Sequence, residues 1–381
     1  MNDPISLRTR TYAPEELYPG YDRLRLTQSD GGVRTHIVLF LLTFLSTALA
    51  SALNQGFNPL AEPAHLVDGL PYAAALMTIL LFHESGHYIL ARLYRVPTSL
   101  PYFIPAPPFF LLGTFGAVIR MRTLPRDRRA LFDVGAAGPW AGIAIAIPVL
   151  VLGLSLSEVY PRPEAGAGLI LGEPLLFRLL SRLVLGVSSS GDVTILLHPL
   201  ALAGWAGLLV TMLNLLPIGQ LDGGHVLYAA LGPRWHYRVS LGIVAVLVVL
   251  GVSGAGTPLA LPVMAAFFVL RALLPPARHL LLAVATIVAL IAIEISGSGS
   301  WLVWAILMSV IGLRHPPLLD TETPLDTRRR IGAIATLVLF VFTFMPAPIT
   351  LSTHRHFVPP RPDAVEVHTL LRPPVERSVP L

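Results

Sequence analysis

Two histidines four residues apart, with a glutamate beside the first, interrupt an apolar run: LLFHESGHYILARLYR, residues 80–95. On a helix this spacing puts His83 and His87 on one face, a turn apart, where both imidazoles can chelate one ion. Glu84 is placed to take a proton from a metal-bound water. H-E-x-x-H is the arrangement of zinc metallopeptidases. The plainer reading is a pair of core histidines with a satisfied glutamate. The apolar setting weighs against it, because a carboxylate in hydrocarbon costs several kcal/mol and persists mainly where something functional binds it. Ser85 and Gly86 are small and let another backbone approach.

A catalytic zinc site usually has three protein ligands and a water. The chain has no cysteine, which rules out disulfides, thiolate chemistry, iron–sulfur clusters and Cys-ligated zinc. The third ligand is therefore His, Asp or Glu. The best candidate lies in TMLNLLPIGQLDGGHVLYAAL, residues 211–231, where Asp222 follows a long apolar run and precedes Gly223 and Gly224. Alone, LDGG reads as a turn. Taken with HESGH at the same expected depth, Asp222 reads as a ligand. Asn214 and Pro217 interrupt the apolar run, and an amide in such a run wants a partner. His225 is either a neighbour of the ligand or a polar residue at a helix start, and His198 and His315 flank prolines at the ends of spans.

The elements that must position these groups are membrane spans. Of 381 residues 54% are hydrophobic and 13% charged, with mean hydropathy +0.68, against about 25% charged residues in soluble domains. Apolar runs fall near 36–53, 71–93, 134–155, 197–217, 239–253, 258–274, 279–295, 301–313 and 331–349. The fold class is an all-α polytopic membrane protein, a transmembrane helix bundle. GTFGAVIRM, residues 113–121, follows the proline-rich PYFIPAPPFF and reads as a short re-entrant β segment near the site; an ordinary loop is the alternative. Gly116 and Ala117 within it are candidates to bind substrate by strand addition. Three regions follow: a polar segment 1–35 that lacks the features of a signal peptide, a membrane domain 36–350, and a tail 351–381.

Every basic residue is arginine, and the net charge is +5. The arginines lie in juxtamembrane loops, which points to topology and anionic lipid rather than nucleic acid. Arg23, Arg25 and Arg34 precede the first run, residues 54–70 have none, and 92–129 hold seven. The positive-inside rule then puts the N-terminus and the 95–133 loop in the cytoplasm. Alternation makes 156–195 external and 218–238 internal. The tail falls outside despite its four arginines. PLLFRLLSRLVLG, in the external segment, is either an interfacial amphipathic helix or a connector.

HESGH followed far downstream by NLLPIGQLDGG resembles the site-2 protease family of intramembrane zinc metalloproteases. So do GTFGAVI at 113–119, FDVGAAGPWAG at 132–142, HPLALAGWAGLLVT at 198–211 and GLRHPP at 312–317. The resemblance covers roughly residues 70–350 and is similar to the bacterial and plastid branch. It implies zinc held by His83, His87 and Asp222, with Glu84 as general base. It sets Asn214 beside the site, where it would bind substrate backbone or an oxyanion. GAAGP reads as a packing motif, with a direct part at the site as the alternative. There is room for neither a PDZ insertion nor C-terminal CBS domains.

The expected function is cleavage of a transmembrane segment of another protein near the cytoplasmic side, in regulated intramembrane proteolysis. The expected place is a bacterial inner membrane, with the N-terminus cytoplasmic. Two rivals stand beside it. One is a quality-control membrane metallopeptidase with a soluble-facing site, for which Glu158, Glu164, Glu173 and Glu294 are poorly placed as third ligands. The other is a transporter or metal-binding scaffold without catalysis, against which the intact Glu84 counts.

Overall fold

The structure is a computed structural model that describes residues 32–123, 125–161, 168–187, 193–254, 259–292 and 299–352. The expected segments 1–35 and 351–381 lie almost wholly outside the described residues, as do Glu164 and Glu294.

In lipid every backbone polar group must be satisfied internally, so apolar runs close their hydrogen bonds as helices. Among the described residues four helices are long and apolar enough to cross a membrane. They are α1 (Val33–Asn54), α2 (Leu66–Leu93, after a short 3₁₀ turn), α3 (Arg128–Ser155) and, further on, α6 (Asp222–Ser253). Shorter helices complete the bundle: α4 (Leu175–Leu185), α5 (Pro199–Asn214), α7 (Ala260–Leu273), α8 (His279–Ala292), α9 (Ser300–Ile311) and α10 (Thr327–Thr343).

At the centre α2, α3 and α5 pack backbone to backbone, as small residues permit in membranes. A methyl group on Gly86 of α2 would lie 2.5 Å from the Ala137 carbonyl oxygen of α3. One on Gly153 of α3 would lie 2.0 Å from the Ala201 amide nitrogen of α5. Leu76, Leu150, Trp205 and Met212 are fully buried between them. The Asp127 carboxylate caps α3, accepting from the Arg129 and Ala130 amides. α6 breaks at Gly232, whose φ of 80° and ψ of 175° leave the helix, with Pro233 next.

The expected β segment is present. β1 (Tyr102–Pro105) and β2 (Thr114–Val118) form an antiparallel hairpin with Tyr102 opposite Val118 and Phe103 opposite Ala117. The hairpin lies along α1. At one end His36 Nδ1 donates to the Pro101 carbonyl (3.0 Å). Further along Ser46 Oγ donates to the Gly113 carbonyl (2.8 Å), and at the other end Asn54 Nδ2 donates to the Leu111 carbonyl (2.9 Å). From His36 to Asn54 a helix rises about 27 Å, so the hairpin and its flanks run along most of the length of α1.

The 156–195 segment is more structured than its sequence suggests. The amphipathic reading of residues 174–186 holds as helix α4, but three strands accompany it. β3 (Glu158–Pro161) pairs antiparallel with β5 (Val193–Leu196), and β4 (Gly168–Leu171) pairs antiparallel with β6 (Ile349–Ser352). The second pairing puts residues 349–352 on the same side of the bundle as 168–171, as the alternation of spans requires.

Candidate metal centre

The centre is built from α2, the loop 215–221 and the start of α6, with α3 as its wall. His83 and His87, one turn apart on α2, are 3% and 7% exposed, and Glu84 is 5% exposed. The chain leaves α5 at Asn214 and turns through Pro217. Gly223 and Gly224 pack on the Leu215 and Gly219 carbonyls, too close for any larger side chain. That tight reversal brings Asp222, the first residue of α6, to the two histidines.

The Nε2 atoms of His83 and His87 lie 3.2 Å apart, and Asp222 Oδ2 is 3.2 Å from each. Among the described residues this is the one group of three His, Asp or Glu donors that could hold a metal ion. The donor types follow from the surroundings. His87 Nδ1 donates to the Val134 carbonyl at 2.7 Å, so its Nε2 carries a lone pair in the neutral ring. The Asn214 amide nitrogen lies 3.2 Å from His83 Nε2. Two ring nitrogens and a carboxylate oxygen therefore converge on one point, a donor set that suits a cation. A tetrahedral zinc with bonds of about 2.0 Å has donor–donor edges of about 3.3 Å, close to all three edges seen. The residues present fit zinc.

α3 makes room for this geometry. A methyl group on Gly138 would lie 2.0 Å from His87 Nε2, and one on Gly142 would lie 3.2 Å from the His83 ring. The direct part at the site that was the alternative for GAAGP is thus the one the structure adopts, alongside packing. Asp133 of the same motif binds Arg329 on α10 (2.6 Å) and the Tyr94 hydroxyl, tying α2, α3 and α10 together below the site. Burial and then Asp133 raise the Tyr94 phenol above its ordinary pKa.

Glu84 is within electrostatic reach of His87 and Asp222 and accepts a hydrogen bond from the Ile119 amide, just past β2. The strand alternation explains that amide. Arg120 accepts from Ser99 and Arg122 donates to Pro97, so the groups of 120 and 122 face the stretch that leads into β1 while those of 117 and 119 face the other way, towards α2. Gly116, at φ 97° with open space about it, and Ala117 lie on this strand.

A second histidine group was not legible as one in the sequence. His225 Nδ1 donates to His315 Nε2 (2.9 Å), His315 Nδ1 donates to the Pro316 carbonyl (2.6 Å), and His236 Nε2 donates to the Gly219 carbonyl (2.9 Å). Tyr228 lies 4.3 Å from the His315 ring. Burial pushes the His315 imidazole down to about 4, so it is neutral.

A helical membrane protein whose spans carry two histidines, an aspartate and an adjoining buried glutamate belongs to the class of membrane-embedded metalloproteins. Residues 71–255 match the model of peptidase family M50, and this stretch is a site-2 protease family domain. It is 39% identical over 251 residues to "Probable zinc metalloprotease EGY1, chloroplastic" of Arabidopsis thaliana, covering 59% of this chain and 44% of that one. Over 202 residues it is 38% identical to the protein of the same name in Oryza sativa subsp. japonica, covering 51% and 33%. Over 217 residues it is 31% identical to "Probable zinc metalloprotease EGY2, chloroplastic" of Arabidopsis thaliana, covering 55% and 37%. The chain spans less than half the length of these curated relatives. No solved structure matches it.

Proposed function

We propose that the chain is an intramembrane zinc metalloprotease. His83, His87 and Asp222 hold the zinc, Glu84 is the general base, and the substrate is a transmembrane segment of another protein. The observation that carries this reading is the 3.2 Å triangle of converging acceptors beside a buried glutamate, inside helices fit to span a membrane.

Zinc, when bound, supplies Lewis acidity to a water and to the scissile carbonyl. Glu84 takes a proton from the attacking water on its carboxylate and then gives it to the leaving amide nitrogen. The Ile119 amide orients that carboxylate. Val134 fixes the His87 tautomer. Asn214, at the end of α5, holds the substrate carbonyl or backbone. A helix presents no free scissile bond, because each carbonyl is bonded to the amide four residues on. The outward edge of β2, with Gly116 and Ala117, receives the unwound stretch as an added strand and gives its freed groups partners in lipid.

The membrane unit is residues 36–350, flanked by segments 1–35 and 351–381. The arginine asymmetry supports a cytoplasmic N-terminus, a cytoplasmic 95–133 loop and a cut near that side; the membrane proposed is a bacterial inner membrane. The test is a reconstituted cleavage assay with metal analysis. Glu84→Gln should bind zinc and not cut, whereas His83→Ala, His87→Ala and Asp222→Ala should lose both. Stoichiometric zinc and full activity in Asp222→Ala would remove the third ligand. A single cysteine at position 126 should label from the cytoplasm and one at 64 from outside; the reverse at both would invert the orientation.

A further inference from the structure

The kink in α6 opens a cavity of about 470 Å³ whose lining includes Tyr228, Arg234, His236, Arg238, Arg314 and His315. Its position follows from helix length. α6 has 32 residues and would measure about 48 Å if straight, against a hydrocarbon thickness of about 30 Å. The stretch after the break, Arg234–Ser253, rises about 30 Å and suffices to span. The cavity therefore sits where the spanning part begins, at a membrane boundary. Arg128, in the first turn of α3, donates from Nε to the Ala229 carbonyl (2.7 Å) and from Nη2 to the Ala230 carbonyl (2.8 Å), which puts the kink at the level where α3 starts. Leu231 and Trp235 are more than half exposed beside the cavity, as residues of a lipid-facing rim are.

The charge of this cavity is unbalanced. Three guanidinium groups line it and no carboxylate does. Among the described residues Arg234, Arg238 and Arg314 make no ion pair. Arg178 and Arg329, in contrast, each have a carboxylate. Arg238 stacks over Trp235 (5.4 Å) and Arg314 over Tyr237 (4.8 Å). Stacking holds a guanidinium plane in place while its N–H edge stays available for two-pronged bonding to phosphate oxygens. His315 has both ring nitrogens bonded within the protein and serves as wall.

We propose that this cavity binds a phosphate-bearing anion, the headgroup of an anionic phospholipid. The volume falls in the range of small-molecule sites, about 300–1,000 Å³, and the lipid source is favoured by the boundary position and the apolar rim. The site is separate from the metal centre and does not depend on the hydrolytic reading.

The test uses the full purified chain in a neutral detergent, with binding of short-chain phosphatidylglycerol and of phosphatidylcholine of the same chain length followed by native mass spectrometry. Phosphatidylglycerol should bind saturably and about tenfold or more tighter. The triple variant Arg234→Gln, Arg238→Gln, Arg314→Gln should lose the preference while melting temperature and metal content stay unchanged. Arg314→Gln alone, in the loop after α9, should reduce the preference severalfold and serves if the triple variant does not fold. Inorganic phosphate that binds as tightly as the lipid and is lost in the variants upholds the anion site but assigns it to a free phosphate. Equal binding of the two lipids by the unaltered chain, or a preference kept by a folded triple variant, overturns the proposal.

Discussion

Two groups of histidines stand on either side of the first turn of α6, and they differ in where their lone pairs point. In the group of His225, His236 and His315, each ring donates to a carbonyl or to the next ring, and the chain of bonds closes on Pro316 and Gly219. Such a group is satisfied as neutral imidazoles and asks for no ion. In the group of His83 and His87, Val134 takes Nδ1 of His87 from behind, and the Nε2 atoms of both rings meet at the Asp222 carboxylate, with the Asn214 amide nitrogen beside Nε2 of His83. The comparison teaches that histidine count says little about metal binding; what decides it is whether the ring nitrogens are taken up by carbonyls and by one another or meet at a carboxylate.

The comparison breaks most severely at Glu84. Glu84→Gln should lower cleavage by about 10²–10⁴-fold with zinc retained. Next comes the wall of the site. Gly138→Ala drives a methyl group into His87 Nε2 and should cut zinc affinity at least tenfold in a competition assay, whereas Gly242→Ala, with open space around it, should leave affinity unchanged. Equal zinc affinity in both would show that α3 is free to retreat and is not the wall of the site. For the strand edge, Ala117→Pro removes an amide that faces away from β1 and should slow cleavage with zinc content constant. Helix-weakening residues in the substrate should partly restore the rate. Full cleavage by Ala117→Pro would exclude strand addition there. The smallest effect belongs to the second histidine group. His225→Phe should leave zinc content as it was and cost about 1–3 kcal/mol of stability in a denaturation series, because His315 loses its donor. Zinc loss in that variant would merge the two groups into one.

Much of the metal centre was legible because its parts are local. HESGH is a single turn of helix, and Asp222 declares itself as a carboxylate after an apolar run with two glycines behind it. The extended character of 113–121 was legible in its glycines and β-branched residues. What the whole hairpin runs against was not, because the partners of residues 101–113, His36, Ser46 and Asn54, lie in a different span and have no distinctive pattern. The contact of Gly138 with His87 could not be read from GAAGP, since a glycine that packs and a glycine that leaves room for a ring look the same in sequence. The pairing of β4 with β6 joins two four-residue strands from distant parts of the chain, too short for periodicity to register. The second histidine group escaped for a similar reason: His225 and His315 are 90 residues apart, and each stood beside a turn or proline that already accounted for it.

The clasp of Arg128 on the carbonyls of Ala229 and Ala230 bears on the order in which the molecule is made. The stretch from Asp222 to the break at Gly232 is too short to enter a bilayer alone, and its last carbonyls are met by a side chain of α3 instead of by a further turn. Arg128, Gly138, His83 and His87 all precede it in the chain, so the groups that receive it are made first. The donors His83, His87 and Asp222 and the wall glycine Gly138 all lie before residue 253, so helices α7–α10 supply none of them.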